Sequence, residues 1–369
     1  MKNLLIALLL LPMVATADIA VSNAKVFSGV PWQEVIVGYT ITGSSGGPVG
    51  LRTIVSDNDA GIAWTNVTYD AAALTEGEHQ FRWNDAKVNS TNCEVRVQAF
   101  LPMYCIVDLS SVSKSSNYPV SYLEEIPNGG WTEEYMTTKL PMRLIEAGTF
   151  IMGEDQSNEP HRVTLSKPYY MGVFEVSKKQ YELVTGLRPG SATWNFDDLP
   201  VSANYASLRG DTDGSEWPTS NGVDSESFMG KFRMRTGLMF DLPTEAQWEY
   251  ACRAGTTTVF SYGDDVNGDY MWWSNNSQEF LRPVGGKKPN AWGLYGMHGN
   301  VFEWCLDWYG TLAYGTDPKG EAMGSKRVLR GGCSNAWWDK CTSFYRSGAD
   351  PSDPVNQIGF RLCLPAVLP

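Results

Sequence analysis

The stretch Asn290-Ala291-Trp292-Gly293-Leu294-Tyr295-Gly296-Met297-His298-Gly299-Asn300-Val301-Phe302-Glu303-Trp304 decides how this chain folds. Short apolar runs alternate here with glycine and asparagine, and neither a helical nor a strand period is sustained. Trp292 and Trp304 stand in it as large anchors, joined in the same role by Trp248 and Trp308, at spacings that stitch distant loops together. Downstream, Gly331-Gly332 and Gly359 mark places where the backbone needs positive φ or close approach. The pattern is that of an α+β, loop-rich domain.

Two helices are signalled upstream. Ser177 is an N-cap with Gln180 three residues on, which predicts a helix from Lys178 to about Thr185, stopped by Gly186. Thr244 and Gln247 repeat the device and predict Glu245 to Ala254, ending at Gly255, with Trp248, Ala251 and Cys252 on one side. Residues 107–139, with the run Ser110-Ser111-Val112-Ser113-Lys114-Ser115-Ser116, read as a linker, so the second domain covers 140–369. Before it, period-two alternation in Glu34–Ile41 and Cys93–Ala99 marks strands with one buried face. About seven short strands over residues 18–106 suggest an all-β sandwich of immunoglobulin or fibronectin type, serving as a spacer or binding unit.

The first 17 residues read as a signal peptide. Lys2 gives a positive start, Leu4 to Val14 an apolar core too short to span a bilayer, and Ala15-Thr16-Ala17 a cleavage site. The mature protein is expected to be secreted, periplasmic or at the cell surface, with no membrane span. A net charge of −12 and the absence of any Lys/Arg run argue against nucleic acid as a partner. Export permits disulfides, and seven cysteines leave at least one thiol unpaired within the chain. There is no Cys-x-x-Cys, and three scattered histidines make a zinc site of ordinary spacing improbable.

Six segments then occur in a recognisable order. They are Ile145–Gly153, Pro168–Ser177, Leu242–Arg253, Asn290–Trp304, Arg327–Gly332 and Ile358–Arg361. Together they resemble the formylglycine-generating enzyme, or sulfatase-modifying factor, family over about residues 140–365, which implies a fold related to C-type lectins. A bacterial source is expected.

In active members of that family, two cysteines spaced Cys-x-x-x-x-Cys after the Gly-Gly hold copper as thiolates. Two soft sulfur ligands suit Cu(I). Here the first position falls on Ala336, the second on Cys341, and a nearby serine position on Cys333. One thiolate cannot hold two-coordinate Cu(I), so oxidase activity is not expected. The resemblance further implies a staple from Cys252 to Cys341, worth about 4 kcal/mol for a loop of that length. Cys305 with Cys333, and Cys93 with Cys105, are further candidate pairs. The family's calcium loop implies ligands from the Gly299 and Val301 carbonyls and the Glu303 carboxylate, with the family's side-chain ligand replaced by Gly296. Trp337, Trp338, Asp339, Tyr345 and Arg346 make up a candidate ligand surface. The expected function is a module binding a protein, glycan or small molecule. The alternatives are a copper-dependent formylglycine-generating oxidase using Cys333 and Cys341 at altered spacing, and a sequence-diversified variable binding protein.

Overall fold

The computed structural model describes residues 20–27, 35–42, 50–57, 62–70, 77–83, 93–110, 117–154, 161–189, 196–210, 217–219, 222–352 and 356–366 of the 369, with side chains from residue 101 onward. The signal-peptide segment lies outside them. The chain divides into two units, one made mainly of residues 1–103 and the other of Tyr104–Val120 and Glu125–Pro365.

The first unit contributes strands β1 (Ala20–Phe27), β2 (Val35–Thr42), β3 (Gly50–Asp57), β4 (Ile62–Asp70), β5 (Gly77–Trp83) and β6 (Cys93–Phe100). They pair in two three-stranded antiparallel sheets, ordered β1-β2-β5 and β4-β3-β6.

The second unit is α+β. It opens with β7 (Tyr104–Asp108) and continues, after β8 (Val120–Leu123), whose residues Ser121–Leu123 count with the first unit, with α1 (Glu134–Thr137), β9 (Lys139–Ile145), β10 (Gly148–Met152), β11 (His161–Leu165) and β12 (Tyr169–Gly172). Five helices follow: α2 (Lys178–Thr185), α3 (Tyr205–Arg209), α4 (Phe228–Thr236), α5 (Glu245–Arg253) and α6 (Ser274–Ser277). Short strands β13 (Phe302–Trp308), β14 (Gly315–Thr316), β15 (Arg327–Arg330), β16 (Ser347–Ala349), β17 (Ile358–Gly359) and β18 (Cys363–Pro365) complete it. Strands β18, β12, β9 and β7 lie side by side in that order, and β16-β15-β13-β17 form a second sheet.

Both capping boxes form as the spacing demands. Ser177 and Gln180 cap α2, which ends at Gly186 in the left-handed region, φ +77°. Thr244 and Gln247 cap α5, which ends one residue early because Ala254 itself turns left-handed at φ +47°. α5 lays Trp248, Ala251 and Cys252, all fully buried, into a core shared with Tyr169, Met171, Leu294, Met297, Cys305 and Val328. Gly331 and Gly332 adopt positive φ, and Gly359 is needed because a Cβ there would lie 2.6 Å from the Val201 carbonyl oxygen. The expected linker is not all connection. β7 pairs antiparallel with β9, Cys105 opposite Met142, so ladder hydrogen bonds draw Tyr104–Asp108 into the second unit's sheet.

The disulfide expectations are corrected. Cys105, Cys252, Cys305, Cys333, Cys341 and Cys363 are buried free thiols. Cys252 Sγ lies 3.8 Å from both the Met297 carbonyl and His298 Nε2, whereas Cys341 Sγ faces the Trp337 carbonyl at 3.7 Å. Cys305 packs in the central core, and Cys333 Sγ turns to Asn335 Oδ1 at 3.0 Å. Each thiol is spent locally on packing or a weak hydrogen bond. The Cys93 side chain lies outside the described residues.

Candidate functional site

The loop from Gly331 to Cys341 is held from below by a buried histidine. His298 Nδ1 donates to the Cys341 carbonyl at 2.8 Å, while Nε2 accepts from the Ser261 hydroxyl (2.9 Å) and amide (3.2 Å). Those partners fix the neutral tautomer, and burial lowers its pKa to about 4. Cys341 is fully buried against Phe260 and Met271, with Tyr262 and Trp273 at the edge. A Cβ on Gly332 would lie 2.5 Å from its sulfur, so only glycine lets the chain cross there. Burial pushes the Cys341 thiol up, with the neighbouring Cys333 adding to the shift and the Cys333 amide partly offsetting it. Burial also raises Cys333, against the amides of Asn335 and Ala336 and the charge of Lys340. The structure therefore brings Cys333 and Cys341 together, eight positions apart in sequence.

Above this floor the loop turns outward. Trp337 and Trp338 are 62% and 41% exposed, at the start of a single 3₁₀ turn, Trp338–Lys340. Asp339 is exposed beside them. Alternation in an extended chain would bury one tryptophan; the tight turn exposes both. Asn335 ties the loop to a neighbouring cleft of about 710 Å³, its amide donating to Gln357 Oε1 at 3.3 Å. Phe196, Leu199, Phe280, Lys178 and Gln278 help line that cleft.

Tyr345 and Arg346 belong to a different environment. Arg346 grips Glu245 with Nε (2.5 Å) and Nη2 (2.7 Å) and donates to the Gly310 carbonyl. The Tyr345 carbonyl accepts from Arg330 at 2.7 Å. Arg346 is committed to an ion pair and leaves the expected ligand surface.

Glu303, expected on calcium, is fully buried and gripped by Arg361, whose Nε reaches Oε2 and Nη2 reaches Oε1, each at 2.6 Å. Trp248 Nε1 also donates to Oε2 at 2.6 Å. A cation bound through Glu303 would have to share the carboxylate with a buried guanidinium. Gly299 serves close approach, since a Cβ there would overlap the Trp272 carbonyl. Val301 is fully buried and packs over Gly359, so both expected carbonyl donors sit on residues fixed by packing. Among the described residues no group of three or more His, Cys, Asp or Glu side chains could hold a metal ion.

The carboxylate missed from sequence is Glu175. It is 1% exposed, Oε1 accepts from Asn300 Nδ2 at 3.0 Å, and Oε2 has no hydrogen-bond partner. Burial, opposed by Arg361 and reinforced by Glu303, raises its pKa to about 7. A Cβ on Gly296 would overlap this carboxylate, so the missing side chain at 296 and the Glu175 carboxylate share one space. A lone acid inside the apolar run Tyr169–Val176 was the available signal.

The model for the sulfatase-modifying factor enzyme 1-like domain matches residues 132–366, well over half of the chain. This chain belongs to that family. The formylglycine-generating enzyme of Streptomyces coelicolor is 35% identical over 141 residues, 32% of this chain and 45% of the relative. A serine/threonine-protein kinase pkn1 of Chlamydia caviae is 37% identical over 246 residues, 60% of this chain and 37% of the relative. The chain thus spans less than half the length of either curated relative. The solved Treponema denticola variable protein 1 superposes with a TM-score of 0.51 at 27% identity, covering 62% of this chain and 96% of that one. This family member keeps the Gly-Gly turn and a cysteine at 341, with Ala336 between them. No helix among the described residues is long and apolar enough to cross a membrane.

Proposed function

We propose that this sulfatase-modifying-factor family member is an exported, non-catalytic binding module. Its second unit would hold a protein, glycan or small-molecule ligand on the Trp337–Trp338 turn and the adjoining cleft. The first unit is read as an immunoglobulin- or fibronectin-type sandwich acting as a spacer. The observation that carries the reading is the exposure of two adjacent tryptophans on a turn whose own floor is rigid and buried. Large apolar side chains at that exposure, beside an apolar cleft, are what binding hot spots require. The resemblance to Treponema denticola variable protein 1, over 62% of this chain, is in keeping with a binding role on this fold. A near-duplicate template of the 333–360 coding region beside a reverse transcriptase gene would extend the reading to a diversified binder.

The test is a glycan and peptide array probed with the full chain and with a Trp337→Ala/Trp338→Ala variant. A ligand found for the wild type should lose about 2 kcal/mol or more of binding in the variant, with unchanged melting. Equal binding by both proteins sinks the proposal.

A second reading, a formylglycine-generating oxidase, is favoured by the Streptomyces relative and by the nearness of Cys333 to Cys341. Copper in that case would be held by these two thiolates and would supply dioxygen activation. Burial keeps both as thiols, and Ala336 brings no sulfur. Copper-dependent conversion of a Cys-x-Pro-x-Arg peptide, lost in Cys341→Ala, would establish it.

A further inference from the structure

We infer that the cleft beside the Trp337–Trp338 turn takes a neutral saccharide, one face of the sugar laid on Phe280 and its hydroxyls given to Asp198 and Glu279. The inference rests on the binding-module reading for this cleft and names the class of its ligand; it does not require the tryptophans. Three segments wall the cleft. Residues 196–202 bring Phe196 and Asp198, the loop 278–283 brings Glu279 and Phe280, and Gln357 closes it. Each wall is pinned from behind. The Lys178 and Val284 amides donate to the Leu199 and Asp198 carbonyls at 2.8 and 2.9 Å. The Arg282 amide donates to Asn300 Oδ1 at 3.0 Å, and its Nε and Nη2 hold the Ser277 carbonyl. Gln357 gives Nε2 to the Glu279 carbonyl at 2.9 Å and its amide to the Ser202 hydroxyl at 3.2 Å. Gln278, Glu279 and Gln357 stand at φ +57°, +63° and +66°, three of the six non-glycine residues with positive φ among the described residues. Strained backbone gathered around one cleft points to a surface held in shape for a ligand.

The charges lining the cleft cancel, Lys178 and Arg282 against Asp198 and Glu279. Both cations are committed. Lys178 is buried and already partnered, and Arg282 is spent on the Ser277 carbonyl and Gln278 Oε1. The Asp198 and Glu279 side chains make no hydrogen bond or ion pair with the described residues. The cleft therefore offers acceptors, and its ligand must bring donors with little net charge. It must also bring an apolar face, because Phe196 and Phe280 are 60% and 52% exposed. A pyranose ring has both, a C–H face and a fringe of hydroxyls. An extended peptide finds less to pair with. In the loop the Glu279, Phe280 and Arg282 amides already donate to the Ser277 hydroxyl, the Ser277 carbonyl and Asn300, and the Glu279 carbonyl accepts from Gln357. No row of backbone groups remains for strand addition. An anionic sugar would meet two unanswered carboxylates. The volume, about 710 Å³, suits a short oligosaccharide.

The experiment is saturation-transfer NMR on the full chain with cellobiose, maltose, lactose and chitobiose. A sulfated heparin disaccharide and the peptide Gly-Arg-Gly serve as charged controls. At least one neutral sugar should bind, with saturation strongest on the ring protons of one face. Phe280→Ala and Asp198→Ala should each weaken that sugar by about tenfold or more. Should Phe280→Ala fail to fold, Phe196→Ala on the other wall takes its place. Failure of all four sugars to bind overturns the inference. So does tighter binding of either charged control, or sugar binding left unchanged in either variant. A ligand from the array that is lost in the tryptophan variant, with no sugar bound, sinks this inference and leaves the binding module standing. Sugar binding weakened at Phe280 and Asp198, with an array ligand indifferent to the tryptophans, does the reverse for the turn.

Discussion

At the residue scale, the arginines carry the structure of the second unit. Arg209, Arg327, Arg330 and Arg361 are fully buried, which is tolerated only when every charge is paired and hydrogen-bonded. Arg330 pairs with Glu249 and donates to the carbonyls of Ser343, Phe344 and Tyr345, while Glu249 also accepts from Arg253 at 2.8 Å. Loop-rich backbone leaves carbonyls that no ladder satisfies, and guanidinium forks reach several at once. The arginines thus staple distant loops together beside the buried tryptophans. Arg361→Met should therefore cost about 3–5 kcal/mol, because Glu303 would be left buried and uncompensated. Urea unfolding of the variant checks it, and a loss under about 1 kcal/mol would contradict the pairing.

At the element scale, local rules hold where the cap chemistry is strong. Ser177→Ala should destabilise by about 1 kcal/mol through loss of the hydrogen bond to the Gln180 amide, read as a lower denaturation midpoint with unchanged slope. Helix α4 shows the opposite case. Its signals were present, Ser227 accepting from the Gly230 amide and Gly237 closing it at φ +70°. Yet Gly230 inside the helix weakens local propensity, and no Glu or Gln stands at the box position. The glycine is demanded by packing, since a Cβ there would overlap the Asp224 carbonyl. Gly230→Ala should accordingly lower the melting temperature, although alanine is the better helix former. An increase would show that the chain yields at that contact.

At the scale of the whole molecule, stability depends on acids that folding keeps neutral. Asp307 is buried and faces Glu245; desolvation first, then that charge, raises its pKa to about 7. Its folded pKa lies above its unfolded value. Its contribution is therefore fully present below about pH 4 and fades as the pH rises to about 7, because only the unfolded chain releases the proton in that window. The stability difference between wild type and Asp307→Asn isolates this group. Followed by denaturant unfolding across pH, the wild-type advantage should shrink between those limits, and a pH-independent difference would refute the assignment.

The sequence by itself determined the family fold, both boxed helices and the glycine turns at 331–332, because caps and turns rest on chemistry carried within a few residues; it also marked Gly359, whose close neighbour, the Val201 carbonyl, only the tertiary structure supplied. It also revealed that Ala336 breaks the thiol pair. Tertiary structure alone decided which groups meet: Cys333 beside Cys341, Arg361 on Glu303, and Glu175 in the space left by Gly296. It likewise drew Tyr104–Asp108, which the sequence reading had split between the sandwich and the linker, into the second unit's sheet. Partners more than a hundred residues apart, such as Glu175 and Asn300, leave no periodic trace in the chain. Their pairing follows from burial, which penalises every unmet charge and so selects the one arrangement that answers most of them.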